Sequence, residues 1–84
     1  MDRSNHKSLD LHGKTYEEAN MLIDEFIIRN IESLPLEIIT GNSVDMHKIL
    51  KKIVAKHSLK IIPSSSFNMG SYLVTMPLYI NKNK

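Results

Sequence analysis

The succession of polar and apolar positions predicts an α/β fold: a two-layer sandwich in which two helices cover one face of a four-stranded mixed sheet. Three observations carry that expectation. A period-2 segment leads into a capped amphipathic helix, a second strand-then-helix succession follows it, and two short segments rich in β-branched and aromatic residues come last. The predicted order is β-α-β-α-β-β.

Ser8, Leu9, Asp10, Leu11 and His12 alternate polar with apolar, as a half-buried strand does, until Gly13 and Lys14 interrupt them. Thr15-Tyr16-Glu17-Glu18 has the form of a capping box, Thr at the N-cap and Glu three residues on. The helix that it opens is predicted over 16–31. Ala19, Leu22, Ile23, Phe26, Ile27 and Asn30 fall on one stripe, with Glu17 and Glu18 at the positive pole of the helix and Arg29 at the negative. Pro35 closes the connection, and Leu36-Glu37-Ile38-Ile39-Thr40 reads as a second, more apolar strand. Gly41-Asn42-Ser43 is turn chemistry.

A second helix places Met46, Ile49, Leu50, Ile53, Val54 and His57 on one stripe, with Lys48, Lys51, Lys52 and Lys56 on the other side. Ser58 marks its end. Leu59 to Ile62 is the third strand, and Pro63 with Ser64, Ser65 and Ser66 opens a loop through Asn68-Met69-Gly70. Ser71 to Met76 is the fourth strand, which Pro77 either places at a sheet edge or terminates. A right-handed first crossover makes the first two strands parallel, and the sheet face away from the helices stays open or meets a partner. Residues 1–7 are expected as a loose arm, 8–80 as a single domain and 81–84 as a loose tail.

At 84 residues the chain holds one core and no more. Hydrophobic residues at 42% and charged residues at 24% exclude a wholly disordered or fibrous chain. No apolar stretch approaches the roughly 18–20 residues that span a bilayer, since Tyr72 to Ile80 is interrupted by Thr75 and Pro77. Residues 1–7 lack the apolar run of a secretory signal, and cysteine is absent, which removes disulfides and thiolate metal sites. The expectation is a cytoplasmic protein without a membrane partner, a monomer or weak homo-oligomer.

Charge is divided along the chain. Residues 1–42 carry four Lys or Arg against eight acids, and residues 43–84 carry seven Lys against Asp45 alone. Such a division suits an anionic partner, nucleic acid being the usual large one, and equally suits two differently charged solvated faces.

Asp10 and His12 stand two apart on a strand, so both side chains point to the uncovered face while Leu9 and Leu11 point under the helices. They lie at the carboxyl end of the strand, where open α/β sheets bind ligands, and Gly13 lets a ligand or backbone approach. Imidazole titrates near neutral pH, and a neighbouring carboxylate orients it and stabilises its charged form. A solvated strand end accounts for the same pair. The Gly41-Asn42-Ser43 turn opens the second helix, whose free amides and positive pole favour an anion. Capping alone explains Ser43 or Asp45 there. Lys48 lies just past the first turn within reach of a phosphate, and Lys51, Lys52 and Lys56 continue the basic face.

The other histidines offer less: His57 belongs to a helix end, His6 to the arm, and His47 flanks the stripe facing solvent or nucleic acid. No histidine spacing suggests a structural metal, so none is assigned. Phosphate-loop, Gly-x-Ser-x-Gly and dinucleotide fingerprints are absent. The five methionines read as an initiator and core gap-fillers.

Leu9-Asp10-Leu11-His12-Gly13 before a capped helix, Ile38-Ile39-Thr40-Gly41 before a second helix, and a Gly70-led last strand together resemble the small MutS-related (Smr) domain family over roughly residues 8–76. The second family motif is a His/Thr-Gly-x-Gly turn. Thr40 and Gly41 match it, and Ser43 stands in place of the second glycine. The resemblance implies a fold similar to the carboxy-terminal domain of a translation initiation factor. It also implies endonuclease activity on RNA or DNA, with nucleic acid and the ribosome as partners. It makes Asp10 and His12 the catalytic candidates, His12 moving a proton at the phosphodiester and Asp10 holding its tautomer. Gly13, Thr40, Gly41, Asn42, Ser43, Lys48 and Lys52 would contact nucleic acid. With RNA the substrate's own 2′-hydroxyl can attack without a metal, whereas DNA would call for water and a divalent ion. Two other readings stay open: a nucleic-acid or ribosome binding module that does not cut, and a protein-interaction module using the open sheet face or an edge strand.

Overall fold

In a computed structural model that describes residues 7–64 and 70–77, the chain forms six regular elements. They are β1 (Ser8–Asp10), α1 (Tyr16–Arg29), β2 (Leu36–Ile39), α2 (Val44–Lys56), β3 (Lys60–Pro63) and β4 (Ser71–Thr75). The order is the predicted one. The N-terminal arm up to residue 6, the loop through Asn68 and Met69, and the tail with the domain limit at residue 80 lie outside the described residues.

The sheet order is β1-β2-β4-β3, with β1 parallel to β2 and β4 antiparallel to both of its neighbours. Three strands therefore run one way, and their carboxyl ends meet the start of β4 and the amino ends of both helices along a single sheet edge. Register sorts the side chains into two layers. Leu9, Ile38 and Tyr72 share one row on the helix side, and Leu36, Val74 and Ile61 share the next. Ser8, Asp10, Glu37, Ile39, Ser71, Leu73 and Ile62 belong to the opposite face.

The core forms where the apolar stripes of the helices meet that first layer. Ala19, Ile23 and Ile27 come from α1, Met46, Leu50, Ile53 and Val54 from α2, and Leu11, Leu36, Ile38 and Val74 from the sheet side; all are buried. Each buried Leu or Ile contributes about 1.5–3 kcal/mol relative to an exposed one, so these stripes dominate the attachment of helix to sheet. The helices are also tied to each other. The Tyr16 hydroxyl donates to Asp45 at 3.3 Å, and Asp24 accepts from His57 Nε2 at 2.7 Å and pairs with Lys56 at 3.0 Å.

Capping sets the helix limits. Thr15 Oγ1 accepts from the Glu18 amide, and the Glu18 carboxylate accepts from the Thr15 amide, closing the expected box. The Thr15 amide holds the Glu18 carboxyl below its ordinary range. At the other end α1 stops at Arg29, short of residue 31. The Asn30 side chain donates to the Phe26 carbonyl at 2.8 Å, and the chain tightens into a 3₁₀ turn over Ile31–Ser33. The start of α2 is set by Ser43, whose hydroxyl accepts from the Met46 amide at 3.1 Å. Its end is a Schellman arrangement: Ser58 N–H donates to the Ala55 carbonyl and Leu59 N–H to the Val54 carbonyl, with Ser58 at φ +60°.

The prolines find positions where no ladder hydrogen bond is lost. Pro63 ends β3, an edge strand, and β4, which is central, stops at Thr75 two residues before Pro77. On the face away from the helices, Ser64 Oγ donates to Ser71 Oγ at 2.7 Å and Ser71 Oγ donates to Glu37 Oε2 at 2.6 Å. The fully buried Ser71 thus links β2 to the end of β3.

Candidate nucleic-acid interface

The β1 tip follows the alternation read from the sequence. Leu11 is buried while Asp10 and His12 are exposed, and Asp10 shares its row with Ile39 of β2. The ladder extends one residue past β1, because Leu11 N–H donates to the Ile39 carbonyl at 2.9 Å. The chain then reverses through a turn closed by Lys14 N–H on the Leu11 carbonyl. Gly13 sits at φ +78°, the conformation that the third position of a type II turn reserves for glycine. Asp10 Oδ1 accepts from the backbone N–H of His12 at 2.9 Å. Asp10 therefore fixes the backbone that carries His12, and among the described residues no group hydrogen-bonds the imidazole itself.

The end of β2 is held by β4. The Gly70 carbonyl accepts from the amides of Thr40, at 2.7 Å, and Gly41, at 3.1 Å. Thr40 is buried, and its hydroxyl turns inward to the carbonyls of Gly41, at 3.0 Å, and Gly70, at 3.3 Å. Gly41 takes φ +68°, which turns the chain into α2. Of the turn residues expected to contact a ligand, Thr40 and the Gly41 amide are thus occupied in holding the turn itself. Among the described residues no backbone carbonyl or side chain takes the amides of Asn42, Ser43, Val44 and Asp45. Those four N–H groups make up the donor set that an anion would meet at the positive pole of α2.

Beside them lies a cavity of about 170 Å³ lined by Gly41, Asn42, Ser43, Val44, His47 and Tyr72. Its distinctive wall is aromatic. His47, from the first turns of α2, stacks on Tyr72 of β4 with ring centroids 4.5 Å apart and planes 9° from parallel. At about 100° per residue, Lys51 falls on the arc of α2 between His47 and Val44, Lys48 lies just outside it, and Lys52 lies roughly 80° beyond Val44. All three lysines are exposed.

The structure thus brings the expected residues to one sheet edge but divides them between two places. Asn42, Ser43 and Gly41 line the cavity, and Asp10, His12 and Gly13 form the neighbouring tip one strand away without lining it. Lys52 falls on the side of α2 turned away from the cavity. The sequence reading did not single out Tyr72, and it left His47 at the flank of a stripe. The available signal was the apolar Val44 just inside a helix start, 67% exposed in the fold, with His47 three residues on. Among the described residues no group of three or more His, Asp or Glu side chains could hold a metal ion, and no helix is long and apolar enough to cross a membrane. Compared with known proteins, the chain matches no family model, no curated protein and no solved structure.

Proposed function

We propose that the chain binds nucleic acid along the edge where β1 and β2 end, and that it cleaves phosphodiesters there as an Smr-like endonuclease. One observation carries the reading: β1 pairs in parallel with β2, so an exposed imidazole and the open amides of a helix start lie on adjacent strand ends. His12 supplies an imidazole to take or give a proton at the phosphodiester. The Asn42 to Asp45 amides and the Lys48 ammonium supply charge stabilisation for a phosphate. Glycine at 13 keeps the tip of β1 free of side-chain bulk. On RNA the 2′-hydroxyl would attack the adjacent phosphorus, closing a 2′,3′-cyclic phosphate as the P–O5′ bond breaks and the leaving 5′-oxygen takes up a proton; on DNA a water would be needed, with a divalent ion to activate it, and one P–O ester bond would break.

A binding module that does not cut is the second reading, and a specific observation favours it. The Asp10 carboxylate is engaged by the backbone N–H of His12, so it is not seen orienting the ring. The experiment incubates the purified chain with end-labelled RNA and DNA, with Mg²⁺ or Mn²⁺ and with chelator. Cleavage that His12→Ala abolishes while binding persists supports the endonuclease. Binding with both substrates left whole supports the second reading. Absence of salt-dependent binding overturns both and leaves the open sheet face, with Ile39, Leu73 and Ile62, as the surface to pursue.

A further inference from the structure

The cavity wall discriminates among nucleic acids in a way that lysines and amides do not. Phosphate contacts are made with single strands and duplexes alike, since both present backbone phosphates. A flat aromatic surface is different, because only a base that has left its stack has a π-face to offer.

The His47–Tyr72 pair is such a surface. Its two rings are nearly parallel, they come from different elements, and both line the cavity, Tyr72 being packed against the edge of the core as well. Tyr72 stands on a central strand and His47 on α2, so the fold itself brings the two rings together. A cavity of roughly 150 Å³ is enough to accept a benzene ring. The space here, about 170 Å³, has room for one planar group and is well below the 300 Å³ at which pockets for larger ligands begin. The rest of the lining is suited to what is attached to that ring: Asn42 can pair with a base edge, and the Ser43 and Val44 amides stand where a neighbouring phosphate would lie. Exposed Val44 gives the cavity an apolar side that a groove for phosphate alone would not need.

Resting on the proposal that this edge binds nucleic acid, we infer that the cavity takes one unpaired nucleobase against the His47–Tyr72 stack, so that the chain selects single-stranded over double-stranded nucleic acid.

The test uses the whole chain, a single-stranded decamer carrying one 2-aminopurine, and the same decamer annealed to its complement. Fluorescence anisotropy gives affinity, and 2-aminopurine emission reports stacking. The expected result is about ten-fold tighter binding of the single strand, with 2-aminopurine quenched on binding. His47→Ala should remove most of that preference without weakening duplex binding, and His47→Phe, which restores a flat ring, should recover it. Because wild-type quenching is read without any substitution, a variant that fails to fold does not disarm the test. Equal affinity for both forms, no quenching, or an equal loss for both forms in His47→Ala would overturn the inference while leaving nucleic-acid binding standing. No salt-dependent binding of either form would instead remove the reading on which it rests.

Discussion

Gly70 lies against Gly41 so closely that a Cβ added to it would stand 2.6 Å from the Gly41 carbonyl oxygen and 2.7 Å from the Gly41 Cα. This backbone-on-backbone contact between the start of β4 and the end of β2 holds the turn on which the candidate interface is built. Gly70→Ala should therefore cost about 1–3 kcal/mol by forcing the two segments apart. An added Cβ meets nothing within 4 Å at Gly13 or Gly41, so alanine there should cost only the left-handed backbone penalty of about 1–2 kcal/mol. Urea unfolding of the three variants measures the differences. Gly70→Ala should also be the substitution that most disturbs the 2-aminopurine signal.

Ser43 carries the start of α2 through its hydroxyl on the Met46 amide. Ser43→Ala should lower stability by about 1 kcal/mol, whereas Ser43→Gly should lower it by only a few tenths, because glycine leaves the N-cap backbone open to water. Thermal melts followed by circular dichroism check the order. A larger loss for glycine than for alanine would show that the cap is not made.

The left-handed conformation of Ser58 is an opportunity for stabilisation. Glycine removes a steric penalty of about 1–2 kcal/mol and adds about 0.4–1 kcal/mol of unfolded-state entropy, so Ser58→Gly should gain about 0.5 kcal/mol. Chemical denaturation should show the midpoint rising with an unchanged slope.

Asp24 makes the helix pair sensitive to acid. The His57 ring hydrogen bond, and after it the Lys56 ammonium, hold its carboxyl below the ordinary range. A carboxyl with a lowered folded-state value contributes stability that is present above its unfolded value, near pH 4, and is lost as pH falls through the folded one. Glu18 acts in the same direction through its bond from the Thr15 amide. Asp24→Asn should thus be less stable than wild type at pH 6, and the two should converge as the pH is lowered below 4. Urea midpoints across that range test the sign: a gap that widened on acidification would contradict it.

Lys48 and Lys51 flank the cavity on α2, whereas Lys56 is paired with Asp24. If the edge binds nucleic acid, Lys48→Ala and Lys51→Ala should each reduce the slope of log affinity against log salt by about 1, and Lys52→Ala should reduce it less. Titrations at several salt concentrations give the slopes.

The fold was legible in the sequence where local chemistry decides it. The alternation over Ser8 to His12 gave the faces of the first strand, and Thr15 with Glu18 announced α1. What escaped depends on pairings distant along the chain. The insertion of β4 between β2 and β3 follows from no local pattern, and without it neither the Gly70–Gly41 contact nor the stacking of Tyr72 on His47 can be foreseen. The same insertion explains why Thr40 and the Gly41 amide turn inward. The motif supplied those groups, and a strand from some thirty residues later uses them. Asp10 and His12 were correctly read as exposed neighbours, but alternation along a strand is silent on whether a carboxylate bonds a ring or a backbone amide.

The hydroxyl chain from Ser64 through Ser71 to Glu37 constrains the alignment of three strands at once. Sliding β4 by a single position would send the Ser71 hydroxyl into the helix layer and leave the Glu37 carboxylate facing either the Tyr72 ring or Gly70, according to the direction. A shift of two would oppose it with an aliphatic group. Only one alignment satisfies the carboxylate, and it is the one that sets Gly70 against Gly41 and Tyr72 beneath His47. A polar thread on the far side of the sheet thereby selects the geometry of the near one.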